Sequence, residues 1–350
     1  MSKKIMKRSL ALGALMAFVI TGSAWANQGA NVADITATQS VRITDTSGKF
    51  TNTKYTGINT TSTNYGGVMK VTNEASFNNC YFVDNEFTYE NGSAYGGVIS
   101  VFGSSSDVTI DKCTFEDNYA KSGAGRVYGA VIQNTNGKLT INDSYFTKTS
   151  ALGTSAAYGF VMSVSGGITE IKNTTFENNG HNGKSSDKDG GNGVIYLTGA
   201  GTLKLNNVKF KNTDETSSNA YGYGNFIHNR TDSNNKIIIS GDKNEFINAG
   251  GRAIWNGGVV TFTDGSKTKF EKNDVDIEND ATGIVNIEKG SVVNLANYNG
   301  IKGSGVVNIT GMLSTLVGNI SGTNIVNITD KGAMLMMNIY FAITELLKPL

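Results

Sequence analysis

Hydrophobic positions in this chain alternate in short runs, and the alternation slips at regular places. Val108 and Ile110 are two apart and share one face of an extended strand, as do Cys113 and Phe115. The step from Ile110 to Cys113 is three, which on a straight strand would turn the second pair outward. A bend at Asp111 and Lys112 keeps both pairs inward. The same grammar recurs at Phe77-Asn78-Asn79-Cys80, Ile141-Asn142-Asp143-Ser144, Ile171-Lys172-Asn173-Thr174 and Leu205-Asn206-Asn207-Val208. Asn and Asp tolerate left-handed backbone and suit such corners. No stretch after residue 26 carries the 3.6-residue stripe of an amphipathic helix.

Two signatures alternate at long range. Tyr-Gly-small-Val-apolar appears at Tyr65 to Met69, Tyr95 to Ile99, Tyr128 to Ile132 and Tyr158 to Met162, with looser copies at Gly191 to Ile195 and Tyr223 to Ile227. The other is a phenylalanine with Asn two or three residues later. Phe50, Phe82, Phe115, Phe146, Phe176, Phe210, Phe246 and Phe270 fill that slot, spaced 24 to 36 residues apart. The asparagines are Asn52, Asn85, Asn118, Asn179, Asn212, Asn248 and Asn273. A period in this range marks a solenoid, and β-rich repeats that keep turning one corner predict an all-β, right-handed parallel β-helix.

Stacked coils bring like residues together at strand spacing. One internal ladder is expected from Phe82, Phe115, Phe146, Phe176 and Phe210, another from Met69, Ile99, Ile132, Met162 and Ile195. The asparagine after each phenylalanine suits either an internal amide ladder or a turn. Val285-Asn286-Ile287, Val307-Asn308-Ile309 and Val326-Asn327-Ile328 recur at 22 and 19 residues, which reads as tighter coils of the same domain.

At the N-terminus, Lys3, Lys4, Lys7 and Arg8 precede an apolar run from Leu10 to Ile20 and the small residues around Ala24 and Ala26. This order predicts a Sec signal peptide over residues 1–26. The β-helix is expected over 27–330. The apolar stretch 331–350 reads as a helical or irregular cap closing the coil, or as a truncated coil. Without the four leader charges, 26 basic side chains of the 30 face 29 acidic ones. No basic stripe of the kind that binds nucleic acid stands out.

Candidate chemistry is sparse. Cys80 and Cys113 each precede a ladder phenylalanine by two, so adjacent coils stack them; buried thiols are expected, with a disulfide the alternative in an exported protein. His181 opens a loop carrying Asp187 and Asp189, but no further carboxylate completes a Ca²⁺ loop. The pattern assigns no catalytic, metal or cofactor-binding residue. Carboxylates fall at turns such as Asp111 and Asp143, a poor basis for a polysaccharide-cleaving enzyme. Segments 86–94, 119–127, 147–157, 180–192 and 213–222 leave the coil between the two signatures and are expected as loops crowding one side.

The Gly-Gly-Val/Ile motifs (Gly66-Gly67-Val68, Gly96-Gly97-Val98, Gly166-Gly167-Ile168, Gly257-Gly258-Val259) together with the Phe-x-x-Asn motifs (Phe82 to Asn85, Phe115 to Asn118, Phe176 to Asn179, Phe270 to Asn273) resemble the repeats of the polymorphic outer membrane proteins. The resemblance covers roughly residues 50–275. It implies a right-handed β-helix passenger exported by the autotransporter route, displayed at the cell surface or outer membrane or released, and used as an adhesin for host protein or glycan. The family's C-terminal β-barrel has no counterpart in the 350 residues, so retention would fall to a missing barrel or a partner. A passive stalk or coat is the competing expectation.

Overall fold

The computed structural model describes residues 48–61, 65–180, 193–212, 224–230, 234–295, 300–329 and 334–337. Every strand pairing in it is parallel, and no described residue is helical. Three long sheets run the length of the described residues. The first begins at Gly48–Thr51 and ends at Ile325–Ile328, with eleven strands; the second runs from Lys54–Thr56 to Met334–Met337, also with eleven; the third runs from Met69–Val71 to Ile320–Gly322, with ten. Each coil visits the first, second and third sheet in turn and returns one step further along. This is a right-handed parallel β-helix.

The corners follow from backbone conformation. The bend between first and second sheets holds Asn52, Asn79, Lys112, Asp143, Asn173 and Asn207 at φ between 46° and 54°. A second corner, two residues after each core aromatic, places Gly57, Asp84, Asp117, Lys148, Asn178, Asn248 and Lys272 at φ between 51° and 64°. Left-handed residues at both corners let Val108, Ile110, Cys113 and Phe115 all turn inward, and all four are buried.

Phe82, Phe115, Phe146, Phe176, Phe210, Phe246 and Phe270 form one continuous stack, with centroids 4.5 to 5.2 Å apart and planes within 12°. Each buried ring contributes roughly 1.5–3 kcal/mol through removal of apolar surface from water. Phe50 does not belong to this stack. It pairs in the first sheet with Phe77, ring on ring at 5.0 Å, and Tyr55 occupies the place beneath Phe82. The spacing of Phe50 from Phe82 matches the period while its position within the coil does not. Met69, Ile99, Ile132, Met162 and Ile195 lie in register on the third sheet, all buried, and Ile227, Ile254, Ile277, Ile301 and Ile320 continue the column.

Three of the segments expected as loops are strands. Residues 86–94, 119–127 and 147–157 build a four-stranded sheet (Asn59–Thr60, Glu86–Tyr89, Tyr119–Ser122, Ser150–Gly153) and a three-stranded one (Ala94–Tyr95, Arg126–Tyr128, Ala156–Tyr158). These ledge sheets enclose a small core of their own, including Phe87, Ala120, Val127, Ala151 and Phe160. Equivalent segments of similar length stack and pair their backbones, so they bury apolar side chains instead of staying solvated. Segment 181–192, with His181, Asp187 and Asp189, lies outside the described residues, as do 213–223 and the expected signal peptide.

The paired Gly-Gly motifs separate into two kinds of corner. Gly66-Gly67 and Gly96-Gly97 lead into the third sheet, whereas Gly166-Gly167 and Gly257-Gly258 lead into the first. Met334–Met337, within the stretch read as a cap, is a strand that pairs with Thr315–Gly318. The coil therefore continues past residue 330, and residues 338–350 lie outside the described part.

Candidate binding surface

Along the corner that enters the third sheet, aromatic side chains meet from coil to coil in one row, part-exposed from Tyr65 to Tyr158 and at Trp255 and buried at Tyr196 and His228. Tyr65, Tyr95, Tyr128 and Tyr158 stack with centroids 4.8, 5.1 and 5.2 Å apart. Tyr196 follows at 4.7 Å, His228 meets Tyr196 edge-on at 5.2 Å, and Trp255 stacks on His228 at 4.3 Å. The row crosses six inter-coil steps, roughly 29 Å at the spacing of hydrogen-bonded strands.

The row draws on two parts of the coil. Tyr95, Tyr128 and Tyr158 end the ledge strands, and each is followed by a glycine with φ between 63° and 73°. That glycine lets the turn lie against the third sheet: a Cβ on Gly129 would sit 2.0 Å from the Ile132 carbonyl oxygen. Tyr196, His228 and Trp255 instead stand within third-sheet strands, in register with Ser163. Where the ledge is present, the strand position is small or amide-bearing (Ser100, Gln133, Ser163) and the turn supplies the ring. In the next three coils, the strand supplies it.

Ser100, Gln133 and Ser163 are buried in one register, and Ser100 Oγ, Gln133 Oε1 and Ser163 Oγ have no hydrogen-bond partner among the described residues. Orphaned buried polar atoms cost about 1–3 kcal/mol each, so apolar packing alone does not account for these side chains. Tyr65, Tyr95, Tyr128, Tyr158 and Trp255 are part-exposed, whereas Tyr196 and His228 are buried. Burial raises the Tyr95 and Tyr196 hydroxyls above the usual phenol range, keeping them protonated donors.

Cations flank the rings. Lys70 Nζ lies 5.3 Å from the Tyr65 ring and 4.6 Å from Phe102, Arg126 lies 5.6 Å from the Tyr158 ring, and Arg252 lies 4.5 Å from Trp255. Burial raises the Tyr196 hydroxyl, and the charge of the nearby Arg230 opposes that shift. Arg252 Nε also donates to Glu278, and Trp255 Nε1 donates to Asp280 at 2.9 Å. Burial raises the Asp280 carboxyl above the ordinary range.

The thiols sit elsewhere, at the inner corner between first and second sheets. Cys80 and Cys113 are both buried and free. The Cys80 amide donates to Cys113 Sγ at 3.3 Å, and the Cys113 amide donates to Ser144 Oγ at 3.1 Å. The Ser144 amide in turn donates to Thr174 Oγ1. Cys113, Ser144 and Thr174 thus form a column of small acceptors, each satisfying the corner amide of the preceding coil. Contact with Cys80, then burial, pushes the Cys113 thiol up, away from a reactive thiolate. Among the described residues, no three of His, Cys, Asp or Glu group as metal ligands would.

The aromatic row was not legible as a row in the sequence. Its tyrosines belong to the Tyr-Gly signature, but Tyr196, His228 and Trp255 share no motif with them. The available signal was the aromatic between an isoleucine and the next inward residue, at Ile195-Tyr196, Ile227-His228 and Ile254-Trp255. No family model matches this chain, and no curated protein or solved structure does so either.

Proposed function

We propose that this chain is an exported bacterial surface protein whose β-helix serves as a rigid binding rod, engaging a host-cell protein or glycan along its aromatic row. The continuous row from Tyr65 to Trp255 carries the reading. Its part-exposed rings, Tyr65, Tyr95, Tyr128, Tyr158 and Trp255, are held by stacking and by backbone pairing and lose little conformational freedom on binding, which favours affinity. A passive stalk has no need of aromatic side chains on its outside, where exposed rings invite association. The basic, apolar and small order of residues 1–26 supports export. The Gly-Gly-Val and Phe-x-x-Asn motifs support an autotransporter passenger of the polymorphic outer membrane protein kind, held at the outer membrane by a barrel or a partner.

The test is binding of the purified chain to epithelial cells and to a glycan array. The expected result is saturable binding that falls about tenfold in the double variant Tyr128→Ser/Tyr158→Ser, the loss anticipated when interfacial aromatic anchors are removed. The variant should keep the circular dichroism of the parent. Absence of binding by the parent chain, or equal binding by the variant, would favour the stalk.

A further inference from the structure

Taking the aromatic row as the binding surface, we infer that its ligand is an acidic linear polysaccharide lying parallel to the solenoid axis. The chain has five arginines: Arg8, Arg42, Arg126, Arg230 and Arg252. The three within the described residues all lie along this row: Arg126 and Arg252 lie against aromatic rings, and Arg230 stands near Tyr196. Lysines on the other faces are commonly neutralised by carboxylates from adjacent coils, as in Lys138 with Asp107, Lys148 with Glu116, Lys204 with Glu170 and Lys209 with Glu245. On the row, Arg252 pairs with Glu278, while Arg126 and Arg230 are exposed and make no ion pair among the described residues. Among the described residues, Arg126 and Arg230 are thus cations without a matching anion.

Guanidinium groups recognise planar or tetrahedral anions by paired hydrogen bonds. Carboxylate-bearing and sulfated sugars both offer such anions at repeated positions on an extended chain. Beside Arg126, the part-exposed Tyr95, Tyr128 and Tyr158 recur at the strand spacing, and their hydroxyls can bond sugar hydroxyls in series. Single-stranded nucleic acid is also anionic and extended, but it binds through bases stacked on free ring faces. Here Tyr95, Tyr128 and Tyr158 already cover one another's faces, leaving edges and hydroxyls outward.

Binding of the full chain to immobilised polygalacturonate, hyaluronate, heparin, neutral amylose and oligo-deoxythymidine tests the inference. Retention on at least one of the three acidic glycans is expected, weakened by added salt, with little on amylose. Binding to the first two alone would identify carboxylate as the recognised group; binding to heparin alone would identify sulfate. The variant Arg126→Gln/Arg230→Gln should lose at least about tenfold in affinity, since each charge-assisted contact is stronger than a neutral one. Its melting temperature should match the parent, and Lys236→Gln on the first sheet should bind as the parent does. Equal binding to amylose or oligo-deoxythymidine, or no effect of the arginine substitutions, would overturn the inference. Cell binding that is sensitive to Tyr128→Ser/Tyr158→Ser, without acidic-glycan binding, would overturn this inference alone and leave the binding rod standing. No binding in either assay would overturn both.

Discussion

One residue of difference separates two kinds of asparagine after the core phenylalanines. At two residues, Asn178 and Asn248 take the left-handed corner with φ of 53° and 62°. At three residues, Asn85, Asn118, Asn179 and Asn273 point inward and are buried. Asn118 Oδ1 accepts from Asn85 Nδ2 at 2.9 Å and Asn118 Nδ2 donates to the Phe82 carbonyl at 2.8 Å, so the amide bridges one coil to the preceding one. A further buried ladder joins Asn229, Asn256 and Asn279 at the end of third-sheet strands, at 2.8 and 2.9 Å. The Asn286, Asn308 and Asn327 repeat forms an outer ladder on the first sheet. Asn118→Leu removes, in the core, the side-chain acceptor of the Asn85 backbone amide, one of the two acceptors of Asn85 Nδ2 and a donor to the Phe82 carbonyl. It is expected to destabilise the protein by about 1–3 kcal/mol, read as a lower urea midpoint with unchanged slope. An unchanged midpoint would show that the ladder is dispensable.

At the level of the strand and its turn, glycine decides where the coil closes. Gly129 has φ of 66°, and its turn lies so close to the third sheet that a Cβ would meet the Ile132 carbonyl carbon at 2.8 Å as well as its oxygen. Gly129→Ala therefore combines backbone strain with a clash against a paired strand. A loss exceeding about 1 kcal/mol is expected, more than the left-handed penalty alone, measured as a fall in melting temperature. A variant as stable as the parent would mean the turn relaxes freely away from the sheet. The Tyr-Gly signature was readable as a turn because glycine favours left-handed backbone, and the close approach to Ile132 leaves no room for a Cβ there. The segments before it were misread as loops because polar, glycine-rich sequence resembles solvated turn in a single coil. Stacking with Tyr119–Ser122 and its neighbours is what gives Glu86–Tyr89 a partner for its backbone.

Across the whole molecule, stability is the sum of neighbouring-coil contacts, because each coil touches chiefly the one before and the one after. Interior coils such as the one holding Phe115 and Val108 have a full neighbour on both sides. Near the far end, Met312, Leu313, Ile325 and Ile328 are 46 to 64% exposed, a level absent from the central stack. Amide exchange should therefore be slowest through residues 107–116, 138–147 and 168–177 and faster at 325–328, since few buried contacts hold the latter. Mass-spectrometric hydrogen exchange checks this; uniform protection from end to end would indicate a single cooperative unit instead.

The solenoid itself was written in local chemistry. Slipped alternation, left-handed-tolerant Asn and Asp at the slips, and a recurring phenylalanine determine a parallel coil, because each coil repeats the same constraint and identical side chains pack on their own copies. Phe50 shows the limit of spacing: it keeps the period yet occupies the first sheet, and only pairing with Phe77 reveals this. The tertiary structure alone decided that the supposed loops form ledge sheets, that two unrelated sequence contexts supply one aromatic row, and that Arg126 and Arg230 share it. Those relations join residues about thirty positions apart through the pitch of the stack, and periodicity along the chain carries no record of which side chains meet on its outer surface.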